Sequence, residues 1–355
     1  MTPPEAISRQ TLRIIDANLN RIGEGLRFLE DLARLVLNDA PLTQQLKTMR
    51  HEMLRGDWSF QQQLLQARNS EGDIGISIEA PGEEKQGELP IRVVANARRV
   101  QESLRVLEEM AKIPEAKLDS DKFKQARFNL YTIEQALLSR LLRQDKIKRL
   151  PGLYVIIDTQ ALTKGYSHID VASQAIQGGA KTIQLRDKIQ GKKELLPIAQ
   201  QLRNLCTEHD ALFIVNDYLD LALATDADGL HLGQSDLPVA VARKLLSIDK
   251  ILGCSTTTVN QAITAQSEGA DYIAVGSIYP TTSKETVEEV GLDRLHQIRQ
   301  AVTLPLIAIG GISKDNVAQV MAAGADSVAV ISAIVQAEDI EEAAREIAER
   351  VEVQK

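Results

Sequence analysis

Thr182-Ile183-Gln184-Leu185-Arg186-Asp187-Lys188 alternates apolar and polar residues. Side chains of a strand point to opposite faces with period two. Ile183 and Leu185 are therefore predicted to share a buried face, and Gln184, Arg186 and Lys188 the other. Three long polar groups, two of them cationic, then emerge together at a strand's C-terminal end. In a β/α barrel that end carries the chemistry, and a forked Arg beside a point-charge Lys cradles a phosphate or pyrophosphate. Alone, the stretch fits an edge strand with one solvated face equally well; its surroundings decide.

On both sides of it, short apolar runs alternate with helical stretches. The runs are 153–157, 182–185, 212–215, 229–232, 251–254, 272–276, 306–309 and 327–331. Eight buried strands separated by helices in about 200 residues predict a (β/α)₈ TIM barrel. The runner-up, a doubly wound open sheet, would not need eight even spacings, and no G-x-G-x-x-G follows the first run. Polar residues collect just after the strands: Asn216-Asp217, Gln234-Ser235-Asp236, Ser255-Thr256, Thr281-Thr282-Ser283-Lys284, Gly310-Gly311 and Ile331-Ser332.

These parts fit a diphosphate site. Asp217 and Asp236 supply hard oxygen ligands, and one or two carboxylates plus substrate phosphates are the usual arrangement around Mg²⁺. Each could equally be a helix N-cap, Asp236 before Leu-Pro-Val in particular. Lys188, Arg186 and Lys284 can neutralise phosphate charge. Gly310-Gly311 and Ile331-Ser332 stand where barrels commonly bind phosphate through loops 7 and 8, although a tight turn also explains Gly-Gly. His231, among apolar neighbours, reads as a packed, hydrogen-bonded histidine rather than a base. Cys206 and Cys254 read as packing residues.

The first 150 residues are helical. Ile14, Ile15, Leu19, Ile22, Leu26, Leu29, Leu32, Leu35 and Val36 recur at steps of three and four. Further helices are predicted over 43–67, 91–112 and 120–143, with a Gly- and Glu-rich break at 69–86. An internal repeat aligns Ala17-Asn18, Arg21, Glu24, Arg27 and Glu30 with Ala95-Asn96, Arg99, Glu102, Arg105 and Glu108, and more faintly Lys47 and Arg50 with Lys124 and Arg127. Two related helical hairpins predict an all-α bundle. The repeated Asn-Arg-Glu-Arg face is either a salt-bridged stripe or the lining of an anion-binding cleft. Gln144 to Gly152, charged and ending in Pro-Gly, reads as the boundary, giving domains 1–148 and 149–355.

Charge divides along the same line. Residues 1–150 carry 24 Lys+Arg against 22 Asp+Glu, net +2, and residues 151–355 carry 17 against 27, net −10. The acidic second half argues against nucleic acid. No run of 18 or more apolar residues suggests a membrane span, and the opening Met-Thr-Pro-Pro-Glu lacks the regions of a signal peptide. Two cysteines in no metal or redox spacing make a cytoplasmic location the expectation.

Six motifs, in order, make residues 151–345 resemble thiamine-phosphate synthases: Gln184-Leu-Arg-Asp-Lys188, Asn216-Asp217, Asp228-Gly-Leu-His-Leu-Gly-Gln-Ser-Asp236, Pro280-Thr-Thr-Ser-Lys284, Gly310-Gly-Ile312 and Ile331-Ser332. The resemblance implies a transferase that couples hydroxymethylpyrimidine diphosphate to a thiazole phosphate and releases pyrophosphate. It assigns Gln184, Arg186, Lys188, Asn216 and Lys284 to the diphosphate and pyrimidine, and Asp217 and Asp236 to Mg²⁺. It places Ser255 against the pyrimidine and leaving group, and Thr281, Ser283, Gly311, Ile331 and Ser332 at the thiazole phosphate. Ser255 and Lys284 are the expected catalytic pair. The family usually has Thr where Ser283 stands; both carry a hydroxyl. A thiazole tautomerase-like barrel is the rival reading, but such relatives lack parts of the Mg²⁺ and diphosphate set.

Asp16 to Arg21, Glu24 to Arg27, Leu46 to His51, Asp73-Ile-Gly75 and Arg99 to Arg105 resemble a helical domain fused ahead of some of these synthases. The resemblance implies a hydroxymethylpyrimidine-phosphate kinase, the rival being a bundle for assembly or regulation. That family usually has Arg-Asp where this chain has Arg68-Asn69, and no Gly-rich P-loop independently marks ATP binding. The expected partners are the two small-molecule substrates, with no nucleic acid and no membrane; a homo-oligomer stays open.

Overall fold

The computed structural model describes residues 7–69, 88–162, 165–280 and 289–353. It divides into two compact units, Met1–Leu142 and Arg143–Lys355.

Leucine spacing builds the first unit. Helices α1 (Arg9–Asp31), α2 (Ala40–Leu54), α3 (Trp58–Ala67), α4 (Leu89–Met110) and α5 (Ser120–Arg149, its last residues in the second unit) follow in order. Ile15, Ile22, Leu26 and Leu29 of α1, and their repeat partners Val93, Val100, Leu104 and Leu107 of α4, are fully buried in one core. The two helices approach closely at Gly25, where a Cβ would lie 2.4 Å from Val100 Cγ2. The single helix expected over 43–67 is in fact two. Arg55 and Asp57, on either side of Gly56, are extended, so the chain breaks between α2 and α3.

The second unit is a closed barrel of eight parallel strands in sequence order. In chain order its elements are β1 (Leu153–Asp158), α6 (His168–Gln177), β2 (Ala180–Arg186), α7 (Lys192–Glu208), β3 (Leu212–Asn216), α8 (Leu219–Ala224), β4 (Gly229–Leu232), α9 (Val239–Leu245), β5 (Ile251–Thr256), α10 (Val259–Glu268), β6 (Tyr272–Val275), α11 (Gly291–Ala301), β7 (Leu306–Ile309), α12 (Val317–Ala322), β8 (Ser327–Val330), α13 (Ser332–Val335) and α14 (Ile340–Glu352). Ile183 and Leu185 join the core shared with the helices, as the alternation predicts. Tyr154, Ile156, Leu212, Ile214, Ile251, Tyr272, Ala274, Ile307 and Ala329 form a separate cluster inside the barrel.

A repeated device sits at the N-terminal ends of the even strands. Asp228, Asp271 and Asp326 accept the backbone N–H of Phe213, Leu252 and Leu306 at 3.0, 2.9 and 2.8 Å. Each also receives an Arg from a surrounding helix: Arg203, Arg243 and Arg299. The end of α5 joins this layer. Arg143 Nε donates to Asp271 at 2.9 Å, Lys146 Nζ to Asp249 at 3.3 Å, and Leu150 is fully buried in the interior cluster. The stretch read as a linker is thus largely helix, and the unit boundary falls at Leu142–Arg143, upstream of 148. Charge suggested solvent, but these charges have buried partners. Among the described residues, no helix is long and apolar enough to cross a membrane.

Candidate active site

Strand parity aims the rim residues. Gln184, on the face opposite Ile183 and Leu185, is 2% exposed and donates from Nε2 to the Tyr154 hydroxyl at 2.7 Å. Arg186, two residues on, pairs with Asp158 at the end of β1. Lys188 lies beyond the strand, half exposed, and pairs with Asp217. Asp217 follows β3 with φ +62° and donates its backbone N–H to the β4 carbonyl of His231, at 2.8 Å. This left-handed conformation is one that Asp and Asn tolerate better than most residues.

Two carboxylates meet here. Burial raises the Asp217 pKa, Lys188 counters this, and neighbouring Asp236 raises it further. Lys188 is correspondingly raised, chiefly by its hydrogen bond to Asp217. Asp236 is not a helix cap, because α9 starts after Pro238; its Oδ2 instead accepts Gly233 N–H at 2.8 Å. Asp187 is 3% exposed and accepts the N–H groups of Ile189 and Gln190, which fixes the turn carrying Lys188. Asn216 is buried as the last residue of β3, in register with His231.

The other half of the expected site lines one cavity of about 470 Å³ at the ends of β5 to β8. Ser255, Gly311, Ile331 and Ser332 all face it, together with Gln234, Thr256, Ser277 and Ser313. Gln234 bridges the halves: two residues before Asp236, it donates Nε2–H to the Ser255 carbonyl at 2.7 Å. Gly310 and Gly311 have φ of +103° and +62°, and a Cβ on Gly310 would lie 1.9 Å from Ser277 Oγ. Glycine there serves both backbone and close approach. Thr281, Ser283 and Lys284 lie outside the described residues.

His231 is packed and hydrogen-bonded, as expected, yet it reaches the site: Nε2 lies 2.8 Å from Ser255 Oγ. Nothing in the sequence marks Asp158, Tyr154 or Tyr272 for the site, and Gln234 stands at the rim without a role. Tyr154 and Tyr272 stand within apolar runs, and strand parity is the one signal in the sequence that they point inward. Cys206 and Cys254 are buried, with burial pushing their thiols up to about 12 and about 11, as suits packing residues.

Comparison with known proteins gives the family. Residues 153–334 match the family model described as thiamine monophosphate synthase, and residues 13–136 match the ThiD2 family. Thiamine-phosphate synthase of Thermosynechococcus vestitus is 38% identical over 348 residues, covering 98% of this chain and 97% of that one. The chain belongs to the thiamine-phosphate synthase family. It is a transferase of thiamine biosynthesis. The thiamine-phosphate synthase of Methanospirillum hungatei is 51% identical over 199 residues, 56% of this chain and 96% of its own. The solved thiamine phosphate pyrophosphorylase of Pyrococcus furiosus, 39% identical, superposes with a TM-score of 0.54 over 59% of this chain and 98% of its own.

Proposed function

We propose that the barrel rim couples hydroxymethylpyrimidine diphosphate to a thiazole phosphate, releasing pyrophosphate, with the labour divided between its two halves. Gln184, Arg186, Lys188 and Asn216, with Lys284, hold the pyrimidine and diphosphate. Gly311, Ile331 and Ser332, with Thr281 and Ser283, hold the thiazole phosphate. The observation supporting this division is the grouping itself: one cavity over β5 to β8 and one ionic cluster over β2 to β4, joined through Gln234 and Ser255.

Asp217 and Asp236 suit Mg²⁺. Burial and the second carboxylate both disfavour charge on Asp217, and a divalent cation would relieve both. Held by Asp217 and Asp236, Mg²⁺ would supply neutralising charge to the diphosphate. Lys188 stays protonated at neutral pH, and Arg186 is oriented by Asp158. Both are preorganised cations that stabilise the leaving diphosphate as the C–O bond breaks and its electron pair departs. The aminopyrimidine stabilises the resulting benzylic-type cation, and the thiazole nitrogen lone pair forms the new C–N bond. No general base is needed.

Mass spectrometry of the purified chain with both substrates and Mg²⁺ tests this: thiamine phosphate and pyrophosphate should appear in equal amounts. Ser255→Ala and Lys284→Ala should lower kcat more than they raise KM for thiazole phosphate. An unchanged kcat with a raised KM in Lys284→Ala would assign Lys284 to the other phosphate.

For the helical unit, the ThiD2 match supports a hydroxymethylpyrimidine-phosphate kinase. Arg21, Glu24 and Arg27 and their repeat partners Arg99, Glu102 and Arg105 are all exposed, with Arg27 and Arg105 turned to Glu30 and Glu108. With ATP and the pyrimidine monophosphate, the full chain should form the diphosphate, and Arg21→Ala and Arg99→Ala should each abolish that step while coupling continues. No ATP-dependent product would leave an assembly or regulatory bundle. The two buried, unpaired thiols are compatible with a reducing cytoplasm.

A further inference from the structure

Inside the barrel, five side chains from five strands form an unbroken polar line. Gln184 Nε2 lies 2.7 Å from the Tyr154 hydroxyl, which is 3.2 Å from the Tyr272 hydroxyl. Tyr272 Oη is 3.1 Å from His231 Nδ1, and His231 Nε2 is 2.8 Å from Ser255 Oγ. The line runs through apolar surroundings: Tyr154 and Tyr272 belong to the interior cluster and are 2% and 0% exposed. The His231 and Tyr272 rings stack at 5.6 Å and 23°. Room for Tyr272 comes from Gly253 on β5, where a Cβ would lie 2.0 to 2.4 Å from the ring. Ordinary core packing would use Leu or Phe here and leave no hydroxyl to satisfy.

We propose that Tyr154 and Tyr272 are positioning residues that couple Gln184 to Ser255, so that the amide face offered to the pyrimidine sets whether Ser255 donates or accepts in the cavity. The role rests on the reading of the coupling site above. Proton counting gives the coupling. With the Gln184 amide donating to Tyr154, Tyr154 donates to Tyr272, and Tyr272 donates to His231 Nδ1. His231 then carries its hydrogen on Nε2 and donates to Ser255 Oγ, leaving the serine hydrogen for the cavity. Gln184 Oε1 is the amide end left to accept from a substrate amino group. Reversing the amide reverses every link: Ser255 donates to His231, and the cavity meets only its lone pairs. An aminopyrimidine that donates to Gln184 therefore selects the order in which Ser255 donates to the leaving oxygen. Burial raises both tyrosine pKa values well above the ordinary range, so the hydroxyl hydrogens stay in place.

The test is ¹⁵N NMR of the histidine rings in the full chain, with His231 assigned by its loss in His231→Asn. The expected wild-type state with the aminopyrimidine substrate bound is neutral, with hydrogen on Nε2. Tyr272→Phe should abolish that preference and lower kcat about five- to thirtyfold, equivalent to one or two lost hydrogen bonds. KM for thiazole phosphate should stay constant. Tyr154→Phe should act in the same direction more weakly, and serves if Tyr272→Phe misfolds. Hydrogen on Nδ1 in the substrate-bound state, or unchanged ring signals and kcat in both variants, would overturn the proposal. Full kcat in Ser255→Ala would instead remove the reading of the site, while the ring signals would still report whether the line exists.

Discussion

At the barrel rim, Lys188, Asp217 and Asp236 come from the ends of three different strands, and two carboxylates crowd one lysine. In the helical unit, the repeated Glu30 and Glu108 are balanced by arginines of the same set. Glu30 is buried between Arg50 at 2.8 Å and Arg27 at 3.6 Å, and its repeat partner Glu108 sits between Arg127 at 3.0 Å and Arg105 at 2.6 Å. Asn18 and Asn96 each donate back to a carbonyl four residues earlier, at 2.8 and 2.9 Å. Both regions looked like clusters of functional charge. Charges three and four apart on a helix find partners on the same helix or its neighbour. At the rim, Asp217 and Asp236 share the one lysine, and the excess negative charge is left for a ligand to compensate.

The largest effect expected from this contrast is at the rim. Asp217→Asn and Asp236→Asn should each lower the coupling rate about 10²- to 10³-fold, as loss of a charge-stabilising group does. The melting temperature should hold, since Asn accepts the φ of +62° at position 217. Steady-state assays beside thermal unfolding would check both, and full rates would remove the distinction between the regions. Next comes the opposite end of the barrel, where Arg143 is 6% exposed against a buried Asp271. Arg143→Ala should destabilise the second unit by about 3 kcal/mol, read as a lower urea midpoint, with the rim chemistry unaffected per folded molecule.

The two glutamates of the helical unit offer a finer test. Glu30→Gln and Glu108→Gln should each cost about 1–3 kcal/mol of stability, by similar amounts, and leave coupling unchanged. Unequal costs would show that the repeat is not an energetic symmetry. The smallest effect is in pH. The Asp217 pKa lies above its unfolded value, by burial first and then through Asp236. Its contribution to stability is therefore intact below the ordinary carboxylate range and lost as pH rises through the raised value. Without metal, wild type should lose a little stability on going from acid to neutral pH, and Asp217→Asn should lack that loss. Thermal midpoints across that range would show it, and added Mg²⁺ should restore the wild type alone.

Much of the architecture was readable in one dimension. All eight strands fall within two residues of the apolar runs that predicted them, because burial on a strand's two faces is written in local composition. Ser255, Gly311, Ile331 and Ser332 could likewise be named from their place after strands. The break at Gly56 and the helical course of 144–149 were not readable: a Gly-Asp pair is tolerated or not according to packing, and a charged run looks solvated until its partners are known.

Periodicity and order thus settled which residues reach the C-terminal rim, since side-chain direction depends only on a residue's position in its own strand. Which of them touch was settled by closure of the sheet. Tyr154 and Tyr272 are 118 residues apart and meet across the barrel interior, and His231 meets Ser255 only because β4 and β5 pair in the register His231 with Gly253. Whether a polar side chain is a ligand-seeking group or one already satisfied depends on such distant partners. Hydrogen bonds and ion pairs act over a few ångströms of space, and that proximity is created by folding.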